Sequence, residues 1–101
     1  MSITTQVSPS GDLLTIGIQG RFDFSSHQDF RAAYENSEGS ISAYQVDMKE
    51  TSYLDSSALG MLLLLRDYAG GDSAKISIVN CNEDVKKIFT ISNFELLFDI
   101  Q

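Results

Sequence analysis

At 101 residues, with 43% hydrophobic and 21% charged side chains, the chain has the size and composition of one domain around one core, far from disordered compositions. Its 14 acids against 7 bases give a formal charge of -7, which disfavours binding through nucleic-acid phosphates and docking on an anionic membrane, since both need clustered Lys and Arg. Cys81 is the single cysteine, so no internal disulfide or multi-cysteine metal site can form, and a reducing compartment fits best.

The opening MSITTQVSPSGDLL lacks a basic start followed by an apolar stretch, and no apolar run approaches the roughly 18 residues of a membrane span. The expectation is a soluble, cytoplasmic protein without cofactor or metal. Ser2 to Val7 reads as a strand, and the turn-rich Ser8 to Asp12 as a hairpin connection. Leu14, Ile16 and Ile18 then alternate with Thr15, Gly17 and Gln19, the period of a strand with one buried face, which Gly20 closes. Ser25 and Ser26 are candidate helix caps, with Asp29 at the capping-box position and Phe30, Ala33 and Tyr34 at helical spacing; this helix ends near Asn36 to Ser40.

Tyr44, Val46 and Met48 alternate as a short strand. A helix over Ser56 to Ala69 follows, stopped by Gly70 and Gly71 where a left-handed terminator belongs. Ile76, Ile78 and Val79 mark another strand, and Val85, Ile88, Phe89 and Ile91 another helix. Phe94 to Ile100 reads as a last short strand. Strands alternating with helices predict an α/β domain over residues 1–101, with one parallel or mixed sheet and no internal repeat or linker.

The most unusual stretch is YLDSSALGMLLLL. Successive helical residues advance by about 100°, so Met61 to Leu65 sweep roughly 500° and point all around the axis. Internal burial accounts for most of these five; Met61, Leu64, Arg66 and Tyr68 leave room for a mixed, partly exposed stripe. Asp55, Ser56 and Ser57 sit where a helix start leaves unpaired N–H groups and a positive dipole end. They read as an N-cap, and the same geometry accepts a phosphate. A phosphate on Ser56 would add about 1.5 to 2 negative charges. The helix end favours that charge by roughly 0.3 to 1 kcal/mol, so the fold should survive it. At an interface, misplaced charge costs several kcal/mol, and each 1.4 kcal/mol is about tenfold in affinity.

These stretches resemble a STAS domain of the anti-sigma factor antagonist type. IGIQGRFDFSS resembles the family's second strand and its aspartate loop. VDMKETSYLDSSALGMLLLLRDYA resembles the central strand, phosphorylation loop and helix, and AKISIVNCNEDVKKIFTISNFELLFDI the closing elements. The family's Asp-Ser-Ser/Thr-Gly-Leu-Gly pattern stands here as Asp55, Ser56, Ser57, Ala58, Leu59 and Gly60. The resemblance implies a STAS fold: a mixed sheet of about four to five strands with helices mainly on one face. It also implies phosphorylation of Ser56 by a partner serine kinase of histidine-kinase-like fold, and release by a PP2C-type phosphatase.

By the same resemblance, Asp23 lies beside the phosphorylation loop, Ser57 supports without being modified, and Asp23, Asp55, Ser57, Ala58, Leu59 and Met61 form the phosphorylation-loop and partner-binding set. Unphosphorylated protein would bind an anti-sigma factor or comparable regulator in a partner-switching pathway, with stress, motility or biofilm formation as possible outputs. Two departures stand out. Ala58 replaces a common glycine, and the chain ends at Gln101 where longer relatives continue into another helix, leaving room for a partner or a second copy.

A hydrolase-like reading lacks the Gly-x-Ser-x-Gly elbow and has only His27 as base, so no catalytic residue is expected. An ion-pair cluster of Arg21, Asp23 and Asp55 could serve only to order loops, and Cys81 lacks the neighbours that make a thiol reactive. The alternatives within the family are a constitutively docked accessory subunit of a lipid-transporting ABC complex, without a phosphate cycle, and a ligand-sensing module. The intact Asp55-Ser56-Ser57 triplet favours the switch over docking.

Overall fold

The computed structural model describes residues 3–36 and 41–101, so Ser2 and most of the expected end of the first helix lie outside the described residues. Five strands, β1 (Ile3–Val7), β2 (Leu13–Phe22), β3 (Ala43–Leu54), β4 (Ile76–Val79) and β5 (Asp99–Ile100), alternate after β2 with helices α1 (His27–Glu35), α2 (Ser56–Tyr68) and α3 (Glu83–Ile91). They form one sheet in the order β1-β2-β3-β4-β5. β1 runs antiparallel to β2, and the other pairings are parallel.

The alternation expected for β2 is present: Leu14, Ile16 and Ile18 are buried, and they join Tyr44, Val46 and Met48 of β3 and Ile76 and Ile78 of β4 in one core. Ala58, Met61, Leu62 and Leu65 of α2, Phe30 and Tyr34 of α1, and Val85 and Phe89 of α3 complete it. The opposite sheet face carries Thr15, Gln45, Asp47 and Ser77, none fully buried. Parallel sheets usually need cover on both faces because both are apolar. Here the polar alternate positions let one face meet water, so helices on a single face suffice.

β3 is twice the length read from AYQVDM, and its alternation fails after Met48 for a structural reason. Register shifts between Gly17 and Gln19 and between Gly20 and Arg21 give β3 extra residues against β2. Buried positions therefore move to Thr51 and Leu54. The buried Thr51 hydroxyl donates to the Ile18 carbonyl oxygen at 2.9 Å, so it is satisfied inside the irregularity. Gly20 does not close β2: its φ of 76° is taken up at the second shift, and the strand continues through Phe22.

The last segment also differs from expectation. Phe94–Leu96 forms a 3-10 turn entered by Asn93 in the left-handed region, and only Asp99–Ile100 pairs as a strand. Phe94 and Phe98 are both buried and their rings stack at 5.5 Å. The turn carries both aromatics onto the core, and the apolar run meets the sheet only at its end.

Of the five consecutive apolar residues Met61 to Leu65 in α2, Met61, Leu62 and Leu65 are buried, while Leu63 and Leu64 are 38% and 50% exposed. Ala69 caps the helix, and Gly70 and Gly71 follow with positive φ, as expected. The two classes of leucine give a direct check. Leu62→Ala should destabilise the domain by about 2 to 5 kcal/mol, and Leu64→Ala by no more than about 0.5 kcal/mol, in urea unfolding. Equal losses would contradict this orientation of α2.

Candidate functional site

Phe22 of β2 pairs with Leu54 of β3, and these are the last residues of two adjacent parallel strands. The next residue in each chain segment is an aspartate, so Asp23 and Asp55 emerge side by side at the carboxyl end of the sheet. Each turns its chain into a helical segment by the same device. Asp55, with extended backbone, is the N-cap of α2: Oδ1 accepts from the Ala58 N–H at 3.0 Å and from the Ser57 hydroxyl at 2.6 Å. Asp23 caps the short 3-10 turn Phe24–Ser26, accepting from the Ser25 N–H at 3.0 Å and from the Ser25 hydroxyl.

One strand further along, Asn82 caps α3 by accepting from the Val85 N–H at 2.8 Å, while its Nδ2 donates to the Thr51 carbonyl at 3.2 Å. Three strand ends thus carry three side-chain caps. The crevice beyond the carboxyl ends of parallel strands is where α/β sheets collect functional groups. Asn82, followed by Glu83 and Asp84 in the first helical turn, had a legible cap signature that sequence reasoning passed over.

Ser56 and Ser57 differ in environment. Ser57 is half-buried and spends its hydroxyl on Asp55, whereas Ser56 is exposed and its hydroxyl has no hydrogen-bond partner among the described residues. Of Ser25 and Ser26, read as helix caps, Ser26 stands at the N-cap position of α1 but makes no side-chain cap bond there. Ser25 donates to Asp23, and the buried Ser26 directs its hydroxyl to the Arg21 carbonyl at 3.4 Å.

Ala58 and Met61 are 0% and 4% exposed and face the sheet, so neither presents a side chain to a partner. The helical period that turns them inward turns Ser56, Gly60, Leu63, Leu64 and Asp67 outward, and all five are exposed. Leu59 is half-buried at the border of that stripe. Met61 and Arg66 do not belong to the exposed stripe expected of α2; Leu64 and Tyr68 do.

Arg21, Asp23 and Asp55 do not form one ion-pair cluster. Arg21 Nε lies 3.3 Å from Asp23, and its guanidinium rests over the Tyr53 ring at 4.5 Å, while Asp55 bonds only within its own cap. Both aromatic neighbours of this loop, Tyr53 and the 73% exposed Phe24, escaped a reading built on periodicity. Phe24 stacks on His27 at 5.7 Å. The Cys81 thiol is pushed up by burial, away from reactivity.

The Ser57 hydroxyl, then the Ala58 N–H, hold the Asp55 carboxyl below its ordinary value of 3.8; the nearby Asp23 charge opposes them. Asp23 is also lowered, first by the Ser25 hydroxyl and then by the Ser25 N–H. The two aspartates therefore both carry charge at neutral pH at adjacent strand ends, Asp55 directly before Ser56.

A family model described as Mlab, STAS domain matches residues 5–99, and the chain belongs to the STAS-domain family. A STAS-domain containing protein of Pseudomonas aeruginosa (strain UCBPP-PA14) is 60% identical over 100 residues, spanning 99% of this chain and 99% of the relative. Among solved structures, a putative anti-sigma factor antagonist from Thermotoga maritima superposes with a TM-score of 0.83 at 12% identity, covering 97% of this chain and 84% of that one. The Bacillus cell fate determinant SpoIIAA in its phosphorylated form gives 0.72 at 16% identity, covering 98% and 90%. At these identities the likeness is one of fold. The sequence resemblance to a STAS domain and the expected mixed sheet of about four to five strands, here five, are both borne out.

The cap geometry sets a pH dependence. Bonding in the folded state lowers the Asp55 and Asp23 carboxyls, so their stabilisation is present above the unfolded value and is lost as pH falls through the folded one. Asp55→Ala should therefore lower the urea midpoint at neutral pH, with the gap to wild type closing as the solution is acidified below about pH 4. A gap that stays constant across the titration would contradict a charged cap.

Proposed function

We propose that this STAS domain is an anti-sigma factor antagonist in a partner-switching pathway, with Ser56 as the phosphorylated residue. The observation that carries the reading is the division of labour between adjacent serines. Ser57 is tied to Asp55, while Ser56 stands exposed on the first turn of α2 with a hydroxyl that has no partner among the described residues. A serine kinase of histidine-kinase-like fold would add the phosphate, and a PP2C-type phosphatase would remove it. The unphosphorylated form binds an anti-sigma factor or comparable regulator in the cytoplasm, and the phosphorylated form binds it weakly.

The exposed side of α2 supplies a docking stripe, with Leu63 and Leu64 both about two turns beyond Ser56. A phosphate at the head of that stripe is tolerated by the helix dipole, yet it adds about 1.5 to 2 negative charges next to Asp55 and near the Asp23 loop. Folding changes little under that load; a partner surface shaped for the uncharged serine loses its fit. Asp23 acts through the loop it caps, setting how that loop meets the kinase or the regulator.

Partner capture by wild type, Ser56→Ala and Ser56→Asp, with intact mass after incubation in cell extract and ATP, tests this reading. Wild type should gain one phosphate, Ser56→Ala none, and Ser57→Ala one. Ser56→Asp should bind the captured regulator roughly tenfold or more weakly, about 1.4 kcal/mol or more. Asp23→Ala should change the phosphorylation rate or weaken binding with the fold retained; unfolding would make its role structural. If no phosphate appears and all forms capture one partner equally, the domain is a constitutively docked subunit, the reading for which a transporter complex would be the partner.

A further inference from the structure

Among the described residues β1 is an edge strand, and its outward N–H and C=O groups lack a neighbouring strand in the sheet order. Protected edges carry lysine, proline, a bulge or very short pairing. The opposite edge follows that rule, since β5 has two residues and one is Asp99. β1 has none of these devices: its sequence, ITTQV, holds no charge and no proline, and its five-residue register with β2 is unbroken.

We infer that this edge pairs two copies of the chain as antiparallel strands about a two-fold axis through Thr5. The sequence is complementary to itself in that register. Thr5 faces Thr5 of the second copy, Ile3 faces Val7, and Thr4 faces Gln6, so apolar side chains meet apolar ones and polar meet polar on each face. Ile3, Thr5 and Val7 pair with Ile18, Ile16 and Leu14 and so lie on the helix side of the sheet.

On that side Val7 is 42% exposed, although its partner Leu14 is buried. A recess lined by Ile3, Thr5, Asp29, Ala32 and Ala33 opens between β1 and α1. The register places Val7 of the second copy opposite Ile3, at the mouth of this recess. An exposed valine and the hollow that would cover it are thus brought together by the same axis that satisfies the strand edge. No unrelated strand has this match built in, which is why a second copy is the occupant.

Pairing through five residues and one small recess on each copy buries less than the roughly 1,200 to 2,000 Å² of a stable interface, so the dimer is weak and reversible. Two chains of charge -7 repel, so salt strengthens the association by screening. Ser56 follows β3, two strands from this edge and on the order of 10 Å away across the sheet, so the pairing leaves it accessible.

Sedimentation equilibrium of the full chain, from micromolar to millimolar concentration at low and high salt, tests the inference. Wild type should dimerise with rising concentration, more so at high salt. Thr5→Lys and Thr5→Glu should each weaken the dimer roughly tenfold or more, because like charges then face each other across the axis. An equimolar mixture of the two should recover it, which only the Thr5-to-Thr5 register provides. Should either variant fail to fold, hydrogen exchange on wild type keeps the test: β1 amides should gain protection as concentration rises. A chain monomeric under every condition overturns the inference, as does a dimer indifferent to Thr5→Lys. Protection of β1 that appears only on adding another protein would assign the edge to that protein and overturn it equally.

Discussion

The parallel pairing of β2 with β3, carried to its last rung at Phe22 and Leu54, is the constraint on which the candidate site depends. Two strands that run the same way and stop together deliver their next residues to the same place. Asp23 and Asp55 are those residues, and each is consumed locally as a cap. The register shifts in β3 matter for the same reason, because they let a twelve-residue strand end level with a ten-residue one despite its greater length. Without them the two aspartates would leave the sheet at different heights.

Caps that serve stability also sort the hydroxyls. Asp55 has one Oδ1 engaged by both Ala58 N–H and Ser57 Oγ, which fixes Ser57 and leaves Ser56 to solvent. A helix start is a place where acidic groups are favourable, and here one native carboxylate already occupies it. Under the proposed modification, the added charge on exposed Ser56 stays at the surface, so its free-energy cost would fall mainly on whatever binds there.

How much of this was legible depended on the kind of signal. Alternation in β2 and the start and stop of α2 were readable because one face of each is fully buried and the stop residues are glycines with positive φ. The second half of β3 was not, because two shifts break the period after Met48 and bury Thr51, a residue type that reads as exposed. Phe94 to Ile100 misled for the opposite reason: an apolar run resembles a strand, while Phe94 and Phe98 are stacked across a turn. Asp23, Asp55 and the serines were identified by resemblance to a family motif. Their adjacency follows from strand pairing, which no local pattern encodes. Ala58 and Met61 were placed with the contact residues by the same resemblance, and helical geometry turns both inward.

The central claim is that Ser56 is a charge-accepting position on a frame that does not yield. Hydrogen exchange on protein carrying phosphoserine at position 56, compared with the unmodified chain, tests it most directly. The account predicts changed protection confined to the first turn of α2 and the loop around Asp23, with β2, β3 and the rest of α2 as protected as before. Loss of protection throughout α2 and β3 would show that the phosphate opens the fold, and the account would be wrong.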